Sequence, residues 1–111
     1  MAFDVITPVQ MAVDELPTST GTLYTVPAST RALVKQIDIA NNNLASVVVS
    51  LYLVPSGGTA GADNLLIPGV TIPASSIMQW SGVHVLNAGG TIQAVAATTN
   101  VSIAISGGEA V

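Results

Sequence analysis

Residues 46–54 have the sequence Ser-Val-Val-Val-Ser-Leu-Tyr-Leu-Val, which is the strongest strand signal in the chain. In an extended strand, successive side chains point to opposite faces. One face of this segment carries four apolar side chains, those of Val47, Val49, Leu51 and Leu53. The opposite face is also mainly apolar, so we expect both faces of this strand to be covered.

Segments of the same kind lie on both sides of it, separated by clusters of Gly, Pro, Asn and Ser. The predicted strands cover residues 6–13, 21–26, 31–40, 46–54, 64–67, 77–80, 83–86, 91–97 and 101–106. No window of ten residues has the spacing of an amphipathic helix. The fold class is therefore predicted to be all-β, an antiparallel, jelly-roll-like β-sandwich of about eight strands.

The alternation also predicts which side chains face the core. On the last strand, Val101, Ile103 and Ile105 are predicted to point inward. On residues 31–40, the same rule places Leu33, Ile37 and Ile39 together on one face.

Two turns have nearly the same sequence. Residues 26–30 are Val-Pro-Ala-Ser-Thr and residues 72–76 are Ile-Pro-Ala-Ser-Ser. A proline at the second position of a turn presets the backbone for a tight reversal. We predict that the two segments form equivalent corners in two similar halves of the sandwich.

The chain has 111 residues, enough for one domain with a core of its own. Residues 1–20 are predicted to form an N-terminal arm or a first strand, and residues 21–111 the β-sandwich domain. There is no cysteine, so the fold has no disulfide framework and no thiolate metal site.

Charged residues make up only 7% of the chain, and the net charge is −4. The basic surface that binding to a phosphate backbone requires is missing, so nucleic acid is not an expected partner. The mean hydropathy is high at +0.66. Residues 39–62 nevertheless contain an Asn run, Pro55 and paired glycines, so no membrane-spanning helix is predicted and a membrane is not an expected partner.

The chain contains few residues of the types that carry out acid-base or nucleophilic catalysis. His84 is the only histidine, and the alternation of its strand places it on the outer face. Asp14 and Glu15 are adjacent, but no ladder of oxygen ligands surrounds them. We therefore predict no catalytic residues, no metal ligands and no cofactor, and expect that the protein is not an enzyme.

Several segments resemble small virion structural proteins of tailed bacteriophages, including capsid cement, decoration and staple proteins. The resemblance covers most of residues 21–109, on residues 23–28, 37–41, 47–53, 73–74, 85–92 and 105–107. It implies a jelly-roll or related sandwich in a capsid cement protein that binds and stabilises the assembled shell. The implied partners are the major capsid protein or other virion subunits, and the implied location is the capsid surface, after synthesis in the host cytoplasm.

Two alternatives remain open, a neck or tail component and a glycan- or receptor-binding module. Strand edges without charged side chains also predict a homo-oligomer, a dimer or a trimer. The predicted interface comprises Phe3, Val5, Pro8, Asn41, Asn42, Asn43, Ser56, Gly57 and Gly58. Most of these residues lie in loops or in the N-terminal segment, where backbone groups are free to fit a partner.

Overall fold

The computed structural model describes residues 6–111, and its regular secondary structure is almost entirely β-strand. Phe3 and Val5 lie outside the described residues. The strands are β1 Ile6–Glu15, β2 Gly21–Thr25, β3 Arg31–Asn41, β4 Val47–Val54, β5 Leu65–Ile72, β6 Ile77–Leu86, β7 Thr91–Ala96 and β8 Val101–Ala110. A short 3-10 helix, Ala62–Asn64, precedes β5. No helix within residues 6–111 has the length and apolar character needed to cross a bilayer.

The strands form two four-stranded antiparallel sheets. Sheet A has the order β1-β8-β3-β6, and sheet B has the order β2-β7-β4-β5. The first strand therefore pairs with the last, the second with the seventh, the third with the sixth and the fourth with the fifth. This is the strand order of a jelly roll, and it confirms the predicted all-β sandwich.

The core lies between the two sheets and is built from the predicted apolar alternation. Val49, Leu51, Ile103 and Ile105 are buried, as predicted. Leu53 faces the same way but is only half-buried, because it lines an open groove beside β6. The prediction that both faces of β4 are covered is wrong: Val48 is 45% exposed, because nothing in the described chain packs on the outer face of sheet B.

A β-bulge in β3 changes which side chains face the core. The register with both neighbouring strands shifts between Val34 and Gln36. As a result Val34, Ile37 and Ile39 are buried together, and Leu33 is only half-buried. The predicted grouping of Leu33 with Ile37 and Ile39 is wrong, because a bulge adds one residue and reverses the alternation beyond it.

Several strands are longer than predicted: β8 reaches Ala110 instead of residue 106, and the edge strands β5 and β6 also extend beyond their predicted ranges. Residues 77–80 and 83–86 form one strand, β6, which continues through an irregular pairing at Gly82. Strand β5 continues through Pro68 and Gly69. An edge strand tolerates a proline because one side of its backbone needs no partner.

The two similar turns form equivalent corners, as predicted. Each one leads from sheet B to sheet A, and in each one the serine has a left-handed backbone, with φ of 55° at Ser29 and 54° at Ser75. The hydroxyl groups of Thr30 and Ser76 donate to the carbonyl oxygen two residues earlier, at 3.0 and 3.1 Å. The same local chemistry therefore turns the chain at both corners.

Candidate functional site

The pairing of the strands sorts the loops into two opposite ends of the sandwich. We call one the asparagine end; it comprises loops 16–20, 42–46, 73–76 and 97–100. The other, the glycine end, comprises loops 26–30, 55–64 and 87–90. Because adjacent strands are antiparallel, the loops within each end lie side by side.

The predicted interface residues do not come together at one place. Pro8 is exposed on the edge strand β1, and residues 41–43 lie at the asparagine end. Residues 56–58 are exposed at the glycine end. The structure therefore offers two separate loop surfaces and one strand edge rather than a single site.

At the asparagine end, Asn41 holds the loops in place. Its side chain is 1% exposed, and its amide nitrogen donates to the carbonyl oxygens of Ala45, Ile72 and Pro73 at 2.9, 3.1 and 3.1 Å. Its amide oxygen accepts hydrogen bonds from the backbone and side-chain nitrogens of Asn43, both at 3.0 Å. The amide is thus used inside the protein, and Asn41 positions the loop instead of presenting itself to a partner.

Further hydrogen bonds join three loops of this end to one another. The Asn43 side chain donates to the carbonyl oxygen of Thr99 at 2.9 Å, and its own carbonyl oxygen accepts from the Ser75 nitrogen at 3.1 Å. The Asn42 nitrogen donates to the carbonyl oxygen of Asn100 at 3.0 Å. Loop 42–46 is therefore held on both sides, which restricts its conformational freedom before any partner binds.

Leu44 lies in this held loop, and its side chain is 95% exposed. It is the most exposed of the large apolar side chains in residues 6–111. A loop that is already ordered loses little conformational entropy on binding, so its apolar side chain can contribute most of its burial energy to affinity. The sequence prediction selected the asparagines and missed Leu44, although a large apolar residue inside a polar loop is visible in the sequence.

The loop at the glycine end presents mainly backbone. Ser56, Gly57 and Gly58 are all exposed, and Gly57 has a φ of 77°, a region that favours glycine. The Asn64 side chain donates to the carbonyl oxygen of Thr59 at 2.9 Å and so ties the loop to the 3-10 helix. This loop has no large apolar side chain comparable with Leu44.

A groove of about 520 Å³ opens beside the glycine end, between the neighbouring edges of the two sheets. It is lined by Leu53, Pro55, Ser56, Asp63, Asn64, Leu65, Leu66, His84, Val85, Leu86 and Asn87. Within the described residues, no buried side-chain polar atom lacks a hydrogen-bond partner. The groove therefore contains no unsatisfied group that points to a particular ligand.

His84 lies at this groove, stacked on Trp80 with ring centroids 5.2 Å apart. It pairs with the buried Val34, so its side chain leaves the strand on the inner side, and the predicted outer-face position is wrong. The alternation along β6 is unbroken, with Met78, Trp80 and Leu86 on the same inner side, and it is Val83 and Val85 that face outward, 58% and 52% exposed. In residues 6–111, no three His, Cys, Asp or Glu side chains lie close enough to hold a metal ion together.

Charge is distributed unevenly over the two sheets. None of the four strands of sheet B carries a charged residue. Within residues 6–111, the charged residues lie on the strands of sheet A, except for Asp63 in the 3-10 helix. The outer face of sheet B can therefore be buried without removing a charged side chain from water. Burying a charge costs more free energy than burying a neutral polar group.

Tyr24 on β2 and Glu109 on β8 join the two sheets through a short hydrogen bond from the tyrosine hydroxyl to the carboxylate. Burial of the phenol, together with this bond and the negative charge of Glu109, raises the pKa of Tyr24 well above its usual value. The neutral phenol is therefore the form that the folded state favours.

The raised pKa of Tyr24 predicts a loss of stability at alkaline pH. The stability that the raised pKa of Tyr24 contributes is fully present below the ordinary tyrosine pKa of about 10. It is lost as pH rises above that value, because the unfolded chain then releases the tyrosine proton while the folded chain still holds it. We expect Tyr24→Phe to make the free energy of unfolding less dependent on pH above about 10. Urea unfolding over an alkaline pH series measures this dependence. Tyr52→Phe, which removes a hydroxyl outside the pair, is the control, and an equal flattening in both variants would contradict the prediction.

No family model matches the chain, and no curated protein matches it either. Among solved structures, the chain is similar to one from the structure of infectious bursal disease virus, Gx strain, with 10% sequence identity and a TM-score of 0.49. The match covers 96% of this chain and 32% of that chain, so the protein spans about a third of the viral chain's length. The fold assignment rests on the strand order described above. The resemblance to tailed-phage virion proteins stays a prediction.

Proposed function

We propose that this protein is a non-enzymatic virion structural protein that binds an assembled capsid shell and stabilises it as a cement protein. The observation that carries the proposal is Leu44, a leucine 95% exposed on a loop that Asn41 and Asn43 hold in place. A rigid domain with an ordered apolar tip suits attachment to a larger assembly, because little conformational entropy is lost on binding.

The uncharged outer face of sheet B supports the same function. A cement protein lies among many neighbouring subunits and is partly covered by them. Val48 is 45% exposed on this face, and no strand of the sheet carries a charged side chain that would lose its hydration. A jelly roll with such a face is well suited to close packing against the major capsid protein or other virion subunits.

Binding would strengthen the shell through mass action. A protein that binds the assembled shell, and not its free subunits, stabilises the assembled state in proportion to its occupancy and affinity. The role requires no catalytic group. It requires a rigid body that spans a joint between subunits, and the two packed sheets would provide that body.

Leu44→Ser is expected to weaken binding to the shell about tenfold or more, since burying a leucine side chain contributes about 1.5 to 3 kcal/mol. The measurement is co-sedimentation of the purified protein with shells from which it has been removed. Val83→Ser is the matched control and should bind like the wild type, because Val83 is 58% exposed on β6 and is not one of the predicted interface residues. Thermal unfolding should be unchanged in both variants, because neither side chain is part of the core.

The wider proposal is tested on particles with and without the protein. Particles that lack it should rupture at a lower temperature, and image reconstruction of virions should locate it on the capsid surface. Equal heat resistance of the two kinds of particle would refute the cement role. Location only at the neck or tail, or saturable binding to a glycan array, would favour the corresponding alternative.

A further inference from the structure

Within residues 6–111 the two sheets have four edge strands, and three of them are protected. Edge strands present unpaired backbone groups, and proteins block them with charges, prolines or short strands. Strand β1 contains Pro8, Asp14 and Glu15, and β5 contains Pro68. Strand β2 has only 5 residues. These three edges are poor partners for another strand.

Strand β6 lacks those protections. It has 10 residues, Ile77–Leu86, with no proline and no Asp, Glu, Lys or Arg. Ile77, Val83 and Val85 on it are 63%, 58% and 52% exposed. Its irregularity lies at residues 82–83, so the first half, residues 77–81, pairs regularly with β3 and has a straight free edge.

We propose that β6 pairs with β6 of a second copy of this chain, antiparallel across a two-fold axis. Such pairing would join two copies of sheet A into one continuous sheet of eight strands. The proposal goes beyond the proposed function and does not depend on it.

The other sheet edges and the distribution of charge indicate which strand pairs with the free edge of β6. Among the edges of the described chain, only β6 is both long and free of charge and proline, since β2 has just 5 residues, so the suitable partner edge is another β6. Pairing of β6 with itself closes after two copies and leaves no free unprotected edge. It also places no Asp, Glu, Lys or Arg in the seam, whereas pairing of β1 with itself would place Asp14 and Glu15 of each copy there, in a chain of net charge −4.

The sequence of residues 77–81, Ile-Met-Gln-Trp-Ser, is compatible with pairing centred on Gln79. In that register Gln79 lies opposite Gln79 of the second copy, and Met78 lies opposite Trp80. Both contacts are favourable, since paired amides hydrogen-bond and a thioether packs well against an aromatic ring. Directly opposed side chains are the pairs that most affect strand association.

Gln79→Glu tests the pairing directly. Asp38 on β3 is the cross-strand neighbour of Gln79, so the variant would align four carboxylates across the two copies. We expect the wild-type protein to form a dimer at high micromolar concentration in sedimentation equilibrium, and the variant to dimerise at least tenfold more weakly. Gln10→Glu is the matched control, an exposed glutamine on the other edge strand of sheet A, and it should dimerise like the wild type.

A mixture separates loss of pairing from loss of folding. Equal amounts of Gln79→Glu and Gln79→Lys should form a mixed dimer, because a lysine then lies opposite the glutamate. Trp80 is the single tryptophan and lies on β6, so its fluorescence should change with dimer formation. A wild-type protein that stays monomeric, a Gln79→Glu variant that dimerises normally, or a mixture that stays monomeric would each overturn the proposal.

Discussion

Gly107→Ala is expected to lower the free energy of unfolding by about 3 to 5 kcal/mol, the range reserved for severe core defects. A Cβ atom at this position would overlap the backbone carbonyl oxygen of Leu33 and lie 2.9 Å from the Met11 side chain. Met11 can move aside, but the carbonyl belongs to the neighbouring strand at the β3 bulge. Accommodating the methyl group would require the central pairing of sheet A to open.

Thermal and urea unfolding, followed by far-ultraviolet circular dichroism, would measure this effect. Gly61→Ala is the matched control, because a Cβ there would meet only ordinary contacts, the nearest being Asp63 Oδ1 at 3.4 Å. We expect that control to change stability by less than about 0.5 kcal/mol. Equal stability of the two variants would show that the close approach at Gly107 is wrong.

Leu51→Ala is expected to cost about 2 to 5 kcal/mol, through lost burial and the cavity left behind. Leu51 is 0% exposed and pairs with two other buried residues, Ala94 on β7 and Ile67 on β5. Its position in the centre of sheet B leaves little room for neighbours to fill the gap.

The same unfolding measurements apply, with Leu44→Ala as the control. The Leu44→Ala variant loses the same atoms, but Leu44 is 95% exposed. The free energy of unfolding of this variant should therefore stay within about 0.5 kcal/mol of the wild-type value. A loss below about 0.5 kcal/mol for Leu51→Ala would place that side chain outside the core.

The asparagine end shows what sequence reasoning about function reached and what it missed. The sequence predicts residues 41–43 as part of an interface, which stays a prediction, and the structure shows that these residues have different surroundings. Asn41 is buried and holds the loop, and the exposed apolar group is Leu44. The difference depends on the carbonyl oxygens of Ile72, at the end of β5, and Pro73, in the loop that follows, which lie far from Asn41 in sequence.

The sequence by itself determined the β class, the approximate positions of most strands, the buried faces of β4 and β8, and the two Ser-containing corners, because strand alternation and turn chemistry depend on residues next to one another. Only the tertiary structure decided that Leu33 leaves the core face, that residues 41–43 and 56–58 lie at opposite ends, and that β6 is an unprotected edge. These features depend on which strands pair and where a bulge shifts the register. Pairing joins residues distant in the chain, and local periodicity contains no information about it.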